Sequence, residues 1–545
     1  MNNYTKILKI STSLILLILG TACTKLDQQL NSSITSAEAA NTFNAQLFLQ
    51  SAYNDVGLPF SDPGNIFALQ EVTADMCVVP TRAGDWDDNG KWRSLKKHTF
   101  GAEGIDIIEN QFTALNRLNF DATNVLNFKP TKQQTAEAKV LRALSLYTLF
   151  DLFGQFPVRS PGENLLNAPN VYSGEEGYQF IVSEITEVIG DLPVSSSMDK
   201  VNQDVANMLL MKLYLNHGAF VNRAAPAFAD EDMQKVMTLG TAIMNSGKYA
   251  YSTNYFDNFN STNSNSKEGI FASPNTPGVA INNNRIDNRW WCSLHYNSYS
   301  KFKPQAGWNG FSTVSDFYNS FSVNGVTTQT LADSSLDKRI GERYYPGVTD
   351  KSGIRPGLLI GQQYDETGAA LTDRAGNPLK FDPVIAEDLK ELGPDLEVKG
   401  IRVVKYVPDF SNNGANYTST AGNWLIIFRY PDVVLMVAEA KMRAAATDNA
   451  GALALVNDLR SVRGAVPLTT MPLANPDNVA DPKTLLAERG RELYWEVVRR
   501  TDLIRFGMFQ KPWYLKPASD ATHLLFPLPP TAVAANPNLK QNPGY

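Results

Sequence analysis

Hydrophobic residues recur at steps of three and four through most of this chain, and that period predicts a mainly helical protein. Between 485 and 507, Leu486, Leu493, Val497 and Ile504 fall on one face of a single predicted helix. Asp481 and Pro482 are placed to open it and Gly507 to close it. Its other positions are charged: Glu488 faces Arg491, Glu496 faces Arg499 and Arg500, and Asp502 faces Arg505, all at spacings that allow ion pairs within a helix. With an Arg in reach of every Glu, the row Glu488, Glu492 and Glu496 reads as a charge-laced structural helix rather than a catalytic carboxylate set.

Similar periods predict helices from Thr35 or Ser36 through Tyr53, over 105–126, and from Thr131 to Gly154. In the last of these, Thr131 and Gln134 form a capping box, and the segment is apolar nearly all round, as a buried helix is. Further helices are expected over 177–189, 204–220, 232–246, 431–446 and 450–463. Paired by short turns, they suit a tetratricopeptide-like layer, although no strict repeat period is visible. Between 251 and 423 the pattern dissolves into Asn, Ser, Gly, Pro and aromatic residues. Short alternating runs at 401–407 and 424–428 predict strands, and the rest reads as loop carried on a rigid scaffold, where binding residues tend to sit. The expectation is one body: a helical part over 35–250, then 251–545 with a loop-rich, minor-β insert at 251–423 and closing helices at 430–507.

The first residues read as export signal rather than fold. Lys6 and Lys9 precede an apolar run over 10–19, too short to span a bilayer, which ends L-G-T-A-C. Residues 1–22 are therefore expected to be removed, leaving Cys23 as a lipidated first residue on a polar tether over 23–34. Gly20 stands where a lipobox usually has Leu, with Leu19 one position further out.

Composition and motifs exclude more than they assign. A net charge of −6 with no Lys/Arg run gives no electrostatic footprint for nucleic acid. H-E-x-x-H, G-x-S-x-G and paired C-x-x-C are absent, and the four His are scattered. Asp85-Trp-Asp87-Asp-Asn89-Gly90 begins like a calcium loop, but Lys96 stands where the bidentate Glu of an EF-hand belongs, leaving only a looser calcium site to consider. Cys77 and Cys292 read as buried thiols in preference to a disulfide. No catalytic constellation emerges, and the chain is read as a binding protein rather than an enzyme.

Aromatic residues supply the positive signal, at 10% of the chain with 8 Trp and 21 Tyr. One cluster holds Arg82, Asp85, Trp86, Asn89 and Trp92; another holds Arg289, Trp290, Trp291, Tyr296 and Asn297, with Trp308 just beyond. Sugar rings present C–H faces that stack on flat aromatic rings, and their hydroxyls pair with Arg, Asp and Asn. Both clusters are thus candidate glycan contacts.

The 485–507 stretch resembles the signature of the SusD/RagB family through Glu488, Arg489, Arg491, Glu492, Leu493, Glu496, Arg499, Asp502, Leu503, Arg505 and Gly507. Glu137, Ala138, Leu141, Arg142, Ala143, Tyr147 and Gly154 follow a second family pattern, and the ending N-P-N-L-K-Q-N-P-G-Y a third. The resemblance implies an outer-membrane, surface-exposed lipoprotein that binds a glycan and passes it to a SusC-like TonB-dependent transporter. On the RagB side it implies peptide or another nutrient as the cargo. The family's ligand contacts vary between members, so the resemblance assigns no individual residue.

Overall fold

A computed structural model of the chain describes residues 44–276, 284–298, 307–334, 336–341, 353–408 and 421–545. The expected signal peptide, Cys23 and tether lie outside the described residues. No described helix is long and apolar enough to cross a membrane.

Helical periodicity is realised as α1 (Ala45–Asp55), the short α2 (Lys91–Lys97), α3 (Ile105–Asn127), α4 (Lys132–Phe153), α5 (Gly174–Thr186), α6 (Gln203–Val221) and α7 (Asp230–Met244). Beyond them come α8 (Asn288–Ser293), α9 (Tyr430–Arg443), α10 (Asn449–Val462), α11 (Leu485–Leu493) and α12 (Arg499–Arg505). From α3 to α7 each long helix packs on the next, and α9 packs on α10. The layer skips the insert, because α7 also packs along α9. Gly240 permits that approach: a Cβ there would lie 2.2 Å from Val437 and 2.8 Å from Met211. At α4 the capping box forms as the sequence predicts, with Thr131 accepting from the Gln134 N–H and Gln134 from the Thr131 N–H. Helix α5 opens earlier than expected, where Glu175 and Glu176 can face the positive end of its dipole.

Strands are short and occur in pairs. They are β1 (Thr81–Arg82) parallel to β8 (Lys390–Glu391), and the antiparallel pairs β2 (Gln155–Val158) with β3 (Asn170–Ser173), β4 (Gly269–Ser273) with β10 (Leu425–Arg429), β5 (Gly357–Leu359) with β9 (Arg402–Val404), and β6 (Gly361–Gln362) with β7 (Lys380–Phe381). Both predicted strand runs are found, as β9 and β10.

The stretch over 485–507 is a correction, for it forms two helices and not one. Helix α11 starts after the cap of Thr484, not Asp481, and ends at Leu493. The chain then turns through Trp495 and Val497, whose φ angles are 59° and 60°, before α12. The turn buries Tyr494 and Trp495 and aims the Val497 N–H at Glu71, 2.8 Å away. It also sends Glu496 to Arg429 and Lys405 instead of to Arg499 and Arg500, which pair with Asp75 and Asp151. Of the pairs expected within one helix, Glu488–Arg491 and Asp502–Arg505 form, at 2.6 and 2.7 Å.

Nor is the charged face solvated. All of α11 is buried, and its carboxylates are met by arginines from the insert, from β10 and from α10 with the residue after it. Glu488 lies 2.7 Å from Arg339 and 2.6 Å from Arg460, while Glu492 lies 2.7 Å from Arg429 and 2.8 Å from Arg463. Burial alone would raise both carboxyls. The surrounding guanidinium groups win, holding Glu488 well below the usual range and Glu492 at about 2. The lattice ties α10, α11 and β10 to the insert.

Candidate functional site

The site begins with two guanidinium groups that never reach solvent. Arg82 donates to the carbonyls of Asn309 and Leu396, each at 2.8 Å. Arg402 donates to the Asn309 side-chain oxygen and to the Glu397 carbonyl. Between them they fix the turn that carries Trp308, while the Trp308 N–H reaches the Trp291 carbonyl at 2.7 Å and the Gly310 N–H reaches the Cys292 carbonyl at 2.8 Å. The loop after β1, with Trp86 at φ 62°, then lays its indole across this turn. Trp86 Nε1 donates to the Trp308 carbonyl at 2.6 Å. Gly310 must be bare, because a Cβ would meet the Trp86 ring at 2.3 Å. Trp92 and Phe311 back the indole at 5.7 and 5.5 Å.

A polar rim adjoins this ledge. The Tyr296 hydroxyl donates to Asp85 at 2.5 Å, and Arg374 pairs with the same carboxylate at 3.1 Å. The Arg374 guanidinium also lies 3.9 Å from the centre of the Tyr296 ring, a cation–π contact that orients both groups. Behind them Glu397 accepts from Arg374 and, at 3.0 Å, from His295 Nε2. His295 Nδ1 in turn accepts the Asn297 N–H. Burial, with Arg402 nearby, pushes the His295 imidazole down to about 4, so it is neutral with its proton on Nε2. Burial opposes the charge on Glu397, but the backbone N–H and guanidinium of Arg374 hold its carboxyl below the ordinary value. Burial and then Asp85 push the Tyr296 phenol up, keeping it a donor.

Two aromatic clusters more than two hundred residues apart in sequence are thereby joined. Asp85, Trp86, Tyr296 and Trp308 gather with their side chains partly open to solvent, and Asn89 is exposed on the Trp86 loop at φ 56°. The other five expected contacts are interior, which corrects their reading as ligand-facing. Trp92, Trp290 and Trp291 belong to the hydrophobic core. Arg82 holds carbonyls, and Arg289 holds those of Phe60 and Ser61 with Phe67 under its guanidinium. Large aromatics beside glycine-rich turns serve both purposes, and composition does not separate them. Arg374 and Glu397 were missed. Arg374 follows Asp373, which organises a tight turn by accepting from the Ala375 and Asn377 N–H groups. Nothing local tells that this turn reaches Asp85.

The calcium-like loop does not form a cation cradle. Asp85 is engaged as above, Asp87 pairs with Arg93 at 2.7 Å, and Asp88 accepts from the Trp92 indole at 2.6 Å. Among the described residues no three His, Cys, Asp or Glu side chains converge to hold a metal ion. Cys77 and Cys292 are free, buried thiols.

Comparison with known proteins agrees with this architecture. The sequence model described as the SusD family matches residues 267–520. Across 464 residues the chain is 25% identical to the starch-binding protein SusD of Bacteroides thetaiotaomicron, covering 81% of this chain and 77% of that one. A SusD homolog of the same organism superposes with a TM-score of 0.67 at 18% identity, over 94% of this chain and 99% of the other. The surface glycan-binding protein A of that organism, solved with laminarihexaose, gives 0.62 at 17% identity, over 91% and 98%. At such identities the solved structures speak for the fold.

Proposed function

We propose that the chain, which the SusD family model matches over residues 267–520, is a SusD/RagB-type protein that captures an oligosaccharide at the cell surface. It delivers the sugar to a SusC-like TonB-dependent transporter while held to the outer membrane by a lipid on Cys23. The observation that carries the glycan reading is the ledge of Trp86 and Trp308 beside the rim of Asp85, Tyr296 and Arg374. Its flat rings offer stacking faces. The rim sets a carboxylate acceptor, a guanidinium and a phenol within one sugar ring of one another. No bond is broken in this work. The relatives lend support, one being named a starch-binding protein and another solved with a bound hexasaccharide.

Isothermal titration of the protein from residue 24 onward, against plant, host and microbial polysaccharides and peptide digests, tests the proposal. Saturable binding to one glycan, weakened on the order of 30-fold in a folded Trp86→Ala variant, is the expected result. Binding to peptides alone would move the protein to the peptide-uptake side of its family.

A further inference from the structure

A second aromatic surface is built on elements that contribute nothing to the Trp86 ledge. Tyr249 and Tyr251 follow the end of α7, and Tyr430 opens α9. The insert separates them in sequence, and the packing of α7 on α9 reunites them. Tyr249 and Tyr430 have ring centres 6.4 Å apart with planes inclined by only 18°. Rings so nearly parallel at that separation are displaced sideways, so they extend one another as a strip. Tyr251 leans on Tyr430 with centres 5.2 Å apart.

Each ring is partly exposed. The strip is held from behind: Asp204 accepts from the Tyr249 hydroxyl at 3.1 Å and from Lys248 at 2.8 Å, and the Arg463 guanidinium sits 5.6 Å from the Tyr251 ring. In contrast, the hydroxyls of Tyr251 and Tyr430 have no hydrogen-bond partner among the described residues, and neither is a sealed interior group. Lys248, Ala250, Thr253 and Lys267 near them are exposed. Rings fixed in place with part of their surface left open give an amphipathic stacking surface.

We propose that Tyr249, Tyr251 and Tyr430 form a second glycan-binding platform, which holds a further segment of the same polysaccharide engaged at Trp86. This rests on the glycan reading above. An uncharged chain is favoured because Lys248 is paired with Asp204 and the strip itself presents phenols, which both donate and accept. Two weak contacts on one polymer multiply through effective concentration, so the platform acts on long chains and not on short ones.

The experiment compares a polysaccharide found to bind with its own hexasaccharide. The proteins are wild type, Tyr251→Ala/Tyr430→Ala, Tyr430→Leu, Trp86→Ala, and Trp86→Ala with Tyr430→Leu, each checked by thermal unfolding. Tyr430→Leu keeps apolar volume at the helix start and removes the flat ring with its hydroxyl. The tyrosine variants are expected to bind hexasaccharide like wild type and polymer about tenfold more weakly. Trp86→Ala should bind the hexasaccharide on the order of 30-fold more weakly and keep weak polymer binding, which Tyr430→Leu then lowers further. Unchanged polymer affinity in folded tyrosine variants, with the Trp86 effect intact, overturns the platform alone. Absence of glycan binding by wild type overturns both readings.

Discussion

The α11–α12 region and the Trp86 ledge invert the usual distribution of residue types. Around α11 the charges are inside, each carboxylate enclosed by guanidinium groups and shut off from water. At the ledge the aromatic rings are outside, and a carboxylate and an Arg stand half-exposed beside them. Buried ion pairs gain little net stability over an apolar core, but they tolerate the loss of a partner poorly. They therefore fix which segments meet and in what register. Aromatic rings left partly open retain an apolar face for a ligand. The stretch that looks most chemical in the sequence is scaffold, and the one that resembles loop filler carries the candidate site.

Removing one carboxylate from the lattice should have the largest effect. Glu492→Leu leaves Arg339, Arg429 and Arg463 facing one another without their shared acid. A loss of about 3–5 kcal/mol in denaturant unfolding is expected, with glycan affinity unchanged in the fraction that folds. Near-native stability would mean that the lattice is dispensable and the contrast false.

Tryptophan substitutions separate the two regions next. Trp86→Ala should weaken glycan binding on the order of 30-fold, as for an aromatic hot spot worth about 2 kcal/mol, with a modest change in melting temperature. Trp290→Ala, at a side chain only 3% exposed, should instead cost about 3–5 kcal/mol of stability. Equal effects of both substitutions on affinity would erase the distinction between ledge and core.

The smallest effect on affinity comes with pH. Glu492 is depressed from 4.5 to about 2 by its arginines, and His295 from 6.5 to about 4 by burial. In each window the unfolded chain binds the proton and the folded chain does not, so stability present at neutral pH falls from 6.5 to 4 and again from 4.5 to 2. Melting temperatures across those windows check the sign. Affinity should stay flat from about pH 6 to about pH 9, because His295 is already neutral there. A step in affinity near 6.5 would show that His295 titrates within the site.

Much of the scaffold was legible because helical burial leaves a period in the sequence. The capping box at Thr131 and the closing Gly154 follow from residues a few positions apart. The break at Trp495 was not legible. Its causes are Glu71, Lys405 and Arg429, which approach from three other segments, and no local pattern records them. The site divides along the same line. Trp86 and Trp308 stand out by composition, whereas their separation from Trp290 and Trp291 depends on which side of a turn faces water. Arg374 joins the rim only through long-range packing.

One consequence of α7 packing on α9 concerns the order in which the chain is made. Met233, Val236 and Ile243 of α7 are buried in the finished protein, with the neighbouring Gly240 fitted against Val437. During synthesis α7 emerges long before α9 exists. It must wait, with the side that meets α9 uncovered, through the whole length of the insert. Closing so wide a loop is slow, and an apolar stripe left open in the interval invites aggregation. Folding of this protein is therefore timed by the arrival of its second half, and truncation within the insert should leave a sticky fragment rather than a smaller folded one.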